Sequence, residues 1–419
     1  MRDSGVEKRF DTAAIITVGC RLNQAESDCL AGYLLARGLK VVRHPLPQAN
    51  ASTIRRVYIN TCAVTQLAEE NSLATIRRVC RLQPKPRVVV LGCLAERAPD
   101  LIRQIPGVDE IWSNQEKQDV IGGQSPVPSR SRALLKIQDG CDRHCSFCLV
   151  SYLRGKPVSL PLFQVQERFQ CLRQAGYQEI VLTGLNLGRY ESNGLDLARL
   201  LETLLKTPGD FRIRLSSLEP DLFNEPLLEV IAEPKVCAHF HIPLQSGDDR
   251  ILQLMGRPYT VSSYDRLLAK ILKIKPDACI GADVIVGFPG EDDNSFERTR
   301  LYLESSAVNY LHVFPYSVRV GTKAAQWGDP VTREKKGERV RVLRSLSEKR
   351  RRDYARRFCG DVRGVILEPR GKGLTDNYLR LTCLDLRGKE YQPGRLIALE
   401  IQLEGEKLIG KMPGWQEGS

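Results

Sequence analysis

The residues best suited to chemistry in this chain are three thiols on one short loop. An apolar strand, Ala133 to Ile137, leads into Lys136-Ile-Gln-Asp-Gly-Cys141-Asp-Arg-His-Cys145-Ser-Phe-Cys148. Thiolates are soft ligands that suit iron–sulfur clusters, zinc or copper(I). Three of them on one tight loop hold three corners of a [4Fe-4S] cube and leave the fourth iron open to a substrate. A closed zinc site needs four ligands, usually as paired C-x2-C knuckles, and no second knuckle lies nearby. His144 sits between two of the cysteines, where the loop cannot turn all four groups onto one metal.

A second set of thiols is placed by the elements that carry it. Three apolar strands read as Ala13 to Cys20, Val57 to Cys62 and Val88 to Cys93, followed by helical patterns over Gln24 to Arg37, Leu67 to Leu82 and Ala98 to Ile105. Strands alternating with helices predict a parallel sheet, whose strand C-termini lie along one edge. Each strand ends in a cysteine, so Cys20, Cys62 and Cys93 are expected to converge on a metal. Cys29 and Cys80 fall inside helical patterns and read as small core residues. Cys171, Cys237, Cys279, Cys359 and Cys383 are read the same way.

The chain has 419 residues, enough for two or three domains. No apolar run is long enough to span a bilayer, and Met1 to Phe10 carries no signal-peptide core. Thirteen cysteines without a secretory signal argue for metal chemistry in a reducing, cytoplasmic compartment rather than for disulfides. The net charge of +12 suits an anionic partner such as nucleic acid.

Beyond the cysteine loop, strand-like runs recur at Glu179–Thr183, Arg212–Ser216, His239–Leu244, Ala282–Val286 and Tyr310–Phe314, with helical patterns between them. With the first strand this makes six βα units and predicts an open partial barrel over residues 130–330. Barrel chemistry sits at the strand C-termini, where Gly184, Asn186, Ser217, Glu219, Gln245, Ser246, Gly287, Pro289 and Tyr316 fall. His239 and His241 alternate along one strand and read as packing or hydrogen-bonding residues, with nothing nearby to complete a metal site. Residues 331–358 form a charged helical stretch, basic from Arg339 to Arg357, that suits a phosphate surface. Short alternating strands at Val362–Leu367, Tyr378–Leu384 and Leu396–Leu403 predict a small β-barrel over residues 359–419, an architecture that often binds RNA. Tyr378 is placed either to stack on a base or to pack that barrel.

The cysteine loop, with aromatic Phe147 before its last cysteine, resembles the signature of radical S-adenosylmethionine (SAM) enzymes. Gly19-Cys-Arg-Leu-Asn-Gln24, Asn60-Thr-Cys-Ala-Val-Thr65 and Leu91-Gly-Cys93 resemble the N-terminal domain of one branch, the methylthiotransferases, over residues 10–125. Leu182 to Gly188, Ser216 to Pro220, His241 to Gly247 and Asp283 to Glu291 resemble its barrel motifs. Gly373 to Arg380 and Leu408 to Lys411 resemble the TRAM RNA-binding module. The resemblance covers nearly the whole chain. It departs at Ser151 and at Val318 and Val320, where the family usually has prolines, and at Leu160, where it usually has arginine.

The resemblance implies an α/β protein: an N-terminal parallel-sheet domain, a central partial (β/α)6 radical SAM barrel, a basic helical linker and a C-terminal β-barrel. It implies two [4Fe-4S] clusters, one on Cys141, Cys145 and Cys148 that binds SAM, the other on Cys20, Cys62 and Cys93 that presents the sulfur to be transferred. Phe147, Gly184, Asn186, Ser217, Glu219, Gln245 and Ser246 are the implied cofactor-binding residues. No catalytic side chain is expected beyond the cluster ligands. Within the family, the motifs fit best the branch that converts N6-threonylcarbamoyladenosine at tRNA position 37 to its 2-methylthio form. The implied partners are a tRNA anticodon stem-loop, a low-potential electron donor and a sulfur source, with no membrane. The alternatives are a methylthiotransferase for isopentenyladenosine or for a ribosomal-protein aspartate, and an iron–sulfur RNA-binding regulator without turnover.

Overall fold

A computed structural model describes residues 11–43, 53–383 and 392–413. The expectation for Met1 to Phe10 and the end of the strand expected at Tyr378–Leu384 lie outside the described residues. The chain folds into two compact units: residues 1–129 with Tyr152–Arg154, and residues 130–151 with 155–419.

In the first unit, five parallel strands lie in the order Lys40–Arg43, Thr12–Thr17, Ile54–Thr61, Arg87–Gly92 and Glu110–Ile111. Side chains alternate across the sheet. Ile16, Ile59 and Val90 pack on one face with Ile76 and Val79 of the helix Gln66–Cys80. Ile15, Tyr58 and Leu91 pack on the other with Leu30 and Leu34 of the helix Arg21–Leu35. Strand order reverses between Thr12–Thr17 and Ile54–Thr61, which makes a crevice at their C-terminal ends. Cys20 and Cys62 leave from the two sides of that crevice, and Cys93 follows the next strand. The sheet has two strands more than the sequence reading expects. Lys40–Arg43 is a half-buried edge strand and Glu110–Ile111 has two residues, so neither carries a legible apolar alternation.

The second unit contains six parallel barrel strands in chain order. Ala133–Lys136, Glu179–Thr183 and Arg212–Leu215 form one set, and His239–His241, Cys279–Val286 and Tyr310–Pro315 the other. A parallel bridge from Ile213 to Val236 joins them. The first and last strands do not pair among the described residues, so the barrel is open. Alternate residues, such as Ala282, Val284 and Leu311, enter the core shared with the surrounding helices. The intervening set, His239, His241, Asp283, Tyr310 and His312, therefore faces the lumen.

The helix Arg333–Arg356 packs on the last barrel strand, where Ser347 Oγ accepts from the Leu311 amide at 2.8 Å. Beyond it, Val362–Glu368, Lys372–Thr375, Arg380–Cys383, Lys407–Lys411 and Leu396–Glu404 close into a five-stranded barrel. Two of these strands, Lys372–Thr375 and Lys407–Lys411, add to the three expected. Each has only four or five residues.

This small barrel is fastened to the N-terminal end of the larger one. Glu179, wholly buried, pairs with Arg212 at 2.6 Å and with Arg214 at 2.7 Å. The remaining donors of those arginines reach the carbonyls of Gly364, Leu374, Thr375 and Asp376 at 2.8–2.9 Å. Burial alone would raise the Glu179 carboxyl, but Arg214, Arg212 and Arg132 hold it far below the usual range. Tyr378 lies in a turn with φ of +69°. Its ring stacks on His239 at 3.8 Å between centroids, and His239 Nε2 lies 2.8 Å from the Tyr310 hydroxyl. Tyr378 thus packs against the larger barrel, and the base-stacking alternative loses its support.

Candidate metal centres and the barrel lumen

In the first unit, Cys20 is the N-cap of the helix Arg21–Leu35 and Cys93 opens the helix Cys93–Arg97. Helix N-termini favour anionic ligands such as thiolates. Asn23 ties the three cysteine segments together. Its amide donates to the carbonyls of Val18 at 3.0 Å and Thr61 at 2.8 Å, and its Oδ1 lies 3.6 Å from Cys20 Sγ. Gly19, at φ +114°, has no room for a side chain, because a Cβ there would lie 2.6 Å from Cys62 Cβ. Arg154 completes the cluster. Its guanidinium reaches Cys93 Sγ at 3.4 Å, Asn23 Oδ1 at 3.0 Å and Glu26 Oε1 at 2.5 Å, and Lys117 pairs with the same carboxylate at 2.9 Å. Burial pushes the Cys62 thiol up to about 11. It would not ionise by itself at neutral pH, so the set suits a metal that supplies the positive charge and not a free nucleophile.

In the second unit, the loop of Cys141, Cys145 and Cys148 is held from several sides. Gln138 Nε2 donates to the carbonyls of Asp139 and Gly140 at 2.7 and 2.8 Å, and its Oε1 accepts from the Asn186 amide at 2.9 Å. Ser146 bonds the carbonyls of Met255 and Leu254, through its amide at 3.0 Å and its hydroxyl at 2.8 Å. Arg257 donates to Cys145 Sγ at 3.2 Å, pairs with Glu219 and bonds the Tyr259 hydroxyl at 2.9 Å. Burial pushes the Cys148 thiol up to about 12. Cys148, like Cys62, would need a metal to ionise it at neutral pH. The soft donor set and an arginine beside one sulfur fit an iron–sulfur cluster with net negative charge.

The other residues singled out by the sequence fall around this loop with different partners. Phe147 packs edge-on to Phe288, with ring centroids 6.3 Å apart. Gly184 passes so close to Gln138 that a Cβ would meet its Oε1 at 2.7 Å. Asn186 Nδ2 lies 4.0 Å from Cys141 Sγ, and its buried Oδ1 has no hydrogen-bond partner among the described residues. An orphaned buried acceptor beside the cysteine loop fits a donor group on a bound ligand. Gln245 holds a left-handed backbone at φ +70° while its amide bonds the Asp283 carbonyl. Ser217 Oγ lies 2.8 Å from His241 Nδ1. The Ser246 hydroxyl is taken by Thr299 and by the Asp248 amide.

One expectation about this region is corrected. His241 does have neighbours that complete a cluster, because parallel register brings Asp283 beside His312 on the adjoining strand. Asp283 Oδ1 lies 3.2 Å from His241 Nε2 and 3.3 Å from His312 Nδ1. Burial would raise the Asp283 carboxyl, but the two imidazoles hold it below the usual range. The three stand on three separate strands, so no local motif announces them. Arg154 and Arg257 escape the sequence reading for the same reason, whereas Gln138 lies within the cysteine stretch and is marked only by the hydrogen bonds it makes. Cys171 and Cys359, expected in the core, are exposed. Of the departures, Leu160 packs against the barrel core, Ser151 sits in the short helix Val150–Arg154, and Val318 and Val320 are exposed.

Residues 135–303 match the radical SAM superfamily, and residues 12–113 match the family described as uncharacterized protein family UPF0004. The chain is 34% identical to the threonylcarbamoyladenosine tRNA methylthiotransferase MtaB of Thermotoga maritima, over 96% of this chain and 99% of that one. It is 33% identical to the MtaB of Aquifex aeolicus, covering 95% and 98%, and 34% identical to that of Bacillus subtilis, covering 94% of each. In fold it is similar to the radical SAM methyltransferase TsrM of Kitasatospora setae, with a TM-score of 0.56 at 12% identity over 75% of this chain and 77% of that one. Radical SAM domains use SAM and a [4Fe-4S] cluster, and the thiol sets described above meet that requirement. The chain belongs to the MtaB branch of the radical SAM methylthiotransferase family.

Proposed function

We propose that this protein adds a methylthio group to carbon 2 of N6-threonylcarbamoyladenosine at position 37 of tRNA. The observation that carries the reading is the pair of three-cysteine sets, one at the crevice of a doubly wound sheet and one at the mouth of an open barrel. The relatives above are named for the threonylcarbamoyl substrate, which disfavours isopentenyladenosine and the ribosomal-protein aspartate. A regulator without turnover would have no use for the second thiol set.

In this reading, Cys141, Cys145 and Cys148 hold the cluster that takes SAM, and Cys20, Cys62 and Cys93 hold the cluster that presents sulfur. Together with SAM, the reduced cluster supplies radical chemistry, which an unactivated adenine C–H requires. The protein's own groups bind and orient. Asn186 Oδ1, which has no hydrogen-bond partner among the described residues, would accept a hydrogen bond from the SAM amino group, and Phe147 would flank the adenine. Gly184 lets Gln138 brace the loop, and Glu219 is held in place by Arg257. Ser217 and Gln245 line the lumen, while Ser246 acts through the loop it anchors. Arg154 offsets negative charge at Cys93. The domains follow as residues 10–125 for the sulfur-presenting cluster, 130–330 for the SAM barrel, 331–358 for the basic linker and 359–419 for a TRAM-like RNA-binding barrel. The cell supplies a low-potential electron donor and a sulfur source. Cytoplasmic location suits a tRNA substrate, and no helix among the described residues is long and apolar enough to cross a membrane.

The test is anaerobic assay of reconstituted protein with a threonylcarbamoyl-bearing tRNA. Cys145→Ala should abolish SAM cleavage. Cys62→Ala should still cleave SAM abortively yet form no methylthio product. Wild-type product yield from either variant would overturn the scheme.

A further inference from the structure

The lumen holds a polar row of which the cluster and SAM assignments use only the first member, Ser217. It begins at Ser217, passes through His241 and Asp283 and ends at His312. Exposure rises along it: the side chains of His241, Asp283 and His312 are 7%, 24% and 48% exposed. The buried end is fixed by the Ser217 hydroxyl. The open end is an imidazole whose Nδ1 faces Asp283, which leaves Nε2 directed away from the carboxylate. A carboxylate on Nδ1 makes that nitrogen the donor and fixes the ring plane, so Nε2 donates to a ligand only when the ring carries a proton on both nitrogens.

The position of His312 suits a nucleoside. Its strand, Tyr310–Pro315, pairs on one side only, with Cys279–Val286, so His312 stands at the open edge of the barrel. Phe314, two residues on and on the same face, is 41% exposed and offers a stacking surface for a base. The helix Arg333–Arg356 packs on this same strand and exposes Arg341, Arg344 and Arg352, which suits the phosphates of the RNA.

The chemistry at the open end selects a substituent. A threonylcarbamoyl group carries a carboxylate, which an imidazolium Nε2–H binds through a charge-assisted hydrogen bond. An apolar substituent of similar length would instead desolvate His312 and Asp283 without replacing their water. Sites built to hydrogen-bond one group reject analogues that lack it for this reason. We propose that His312, oriented by Asp283 and backed by His241 and Ser217, binds the threonyl carboxylate of the target nucleoside and sets the choice of substrate. This inference rests on the substrate reading above.

The experiment uses the full-length protein with both clusters reconstituted and two anticodon stem-loops. One carries threonylcarbamoyladenosine, and the other carries the same group with its carboxylate converted to a carboxamide. Wild type should favour the acid by about 10- to 100-fold in kcat/KM, the worth of one hydrogen bond to a charged group. His312→Ala should lose most of that preference, chiefly through a higher KM for the acid, with a much smaller loss on the amide. His312→Gln, which keeps a donor but no positive charge, should fall between the two. Iron content and melting temperature equal to wild type exclude misfolding. Equal losses on both RNAs, or none on either, would overturn the proposal. So would a divalent ion, one per chain beyond the cluster iron, that His312→Ala releases, since it would make the three side chains metal ligands. Wild type that turns over both RNAs without discrimination sinks this inference alone. Wild type that turns over neither sinks the substrate reading with it.

Discussion

Gly140 stands immediately before Cys141 at φ +72°, and a Cβ there would lie 2.0 Å from the Lys156 carbonyl oxygen. That neighbour is backbone, so no side chain can swing away. Gly155 has a similar φ of +71° but nothing within 4 Å. The two glycines separate backbone strain from steric exclusion at the cysteine loop. Gly140→Ala should displace Cys141 and cut iron from about eight to about four atoms per chain, the loss of one of two clusters. Gly155→Ala should keep both. Iron analysis after reconstitution checks this, and full iron in Gly140→Ala would contradict it. At this scale the six cysteines can be read from the sequence as candidate ligands, three by their spacing on one loop and three by their places at strand ends. Arg154, Arg257 and Asp283 cannot, because each reaches its sulfur or imidazole across strands or loops that only the fold brings together.

At the scale of elements, the joint between the two barrels is decided by one carboxylate. Glu179 begins one barrel strand and Arg212 begins the next, so both lie at the end opposite the cysteine loop, where barrel residues serve stability. Removing one partner of a buried ion pair leaves uncompensated charge. Glu179→Gln should therefore cost about 3–5 kcal/mol. The folded-state carboxyl lies below its unfolded value, so its contribution is fully present above the unfolded pKa and lost as pH falls through the folded one. The stability gap between wild type and Glu179→Gln should be flat from pH 8 to 5 and should close only below about 4.3, the ordinary glutamate value. Denaturant titrations across that range check it, and a gap that closes between pH 8 and 6 would contradict it. Strand–helix alternation made the larger barrel legible, since apolar runs recur at regular intervals. The joint was not legible, because Glu179, Arg212 and Arg214 read as ordinary polar residues within apolar strands.

At the scale of the molecule, the net charge of +12 resolves into two uses. Arg212, Arg214, Arg339 and Arg350 are consumed by packing: Arg339 pairs with Glu291 at 2.5 Å, and Arg350 donates to the Val308 carbonyl at 3.0 Å. Arg341, Arg344, Lys349, Arg352 and Arg356 remain exposed along the helix Arg333–Arg356, and their spacing keeps them on one side of it. Composition alone could not divide the two groups, because only packing shows which cations have an internal partner. The central claim is that this chain modifies threonylcarbamoyladenosine in tRNA, and the most direct test is mass spectrometry of tRNA nucleosides from cells with and without its gene. The account predicts loss of the 2-methylthio form with accumulation of its unmodified precursor. An unchanged nucleoside profile, in cells with no second enzyme of this branch, would contradict it.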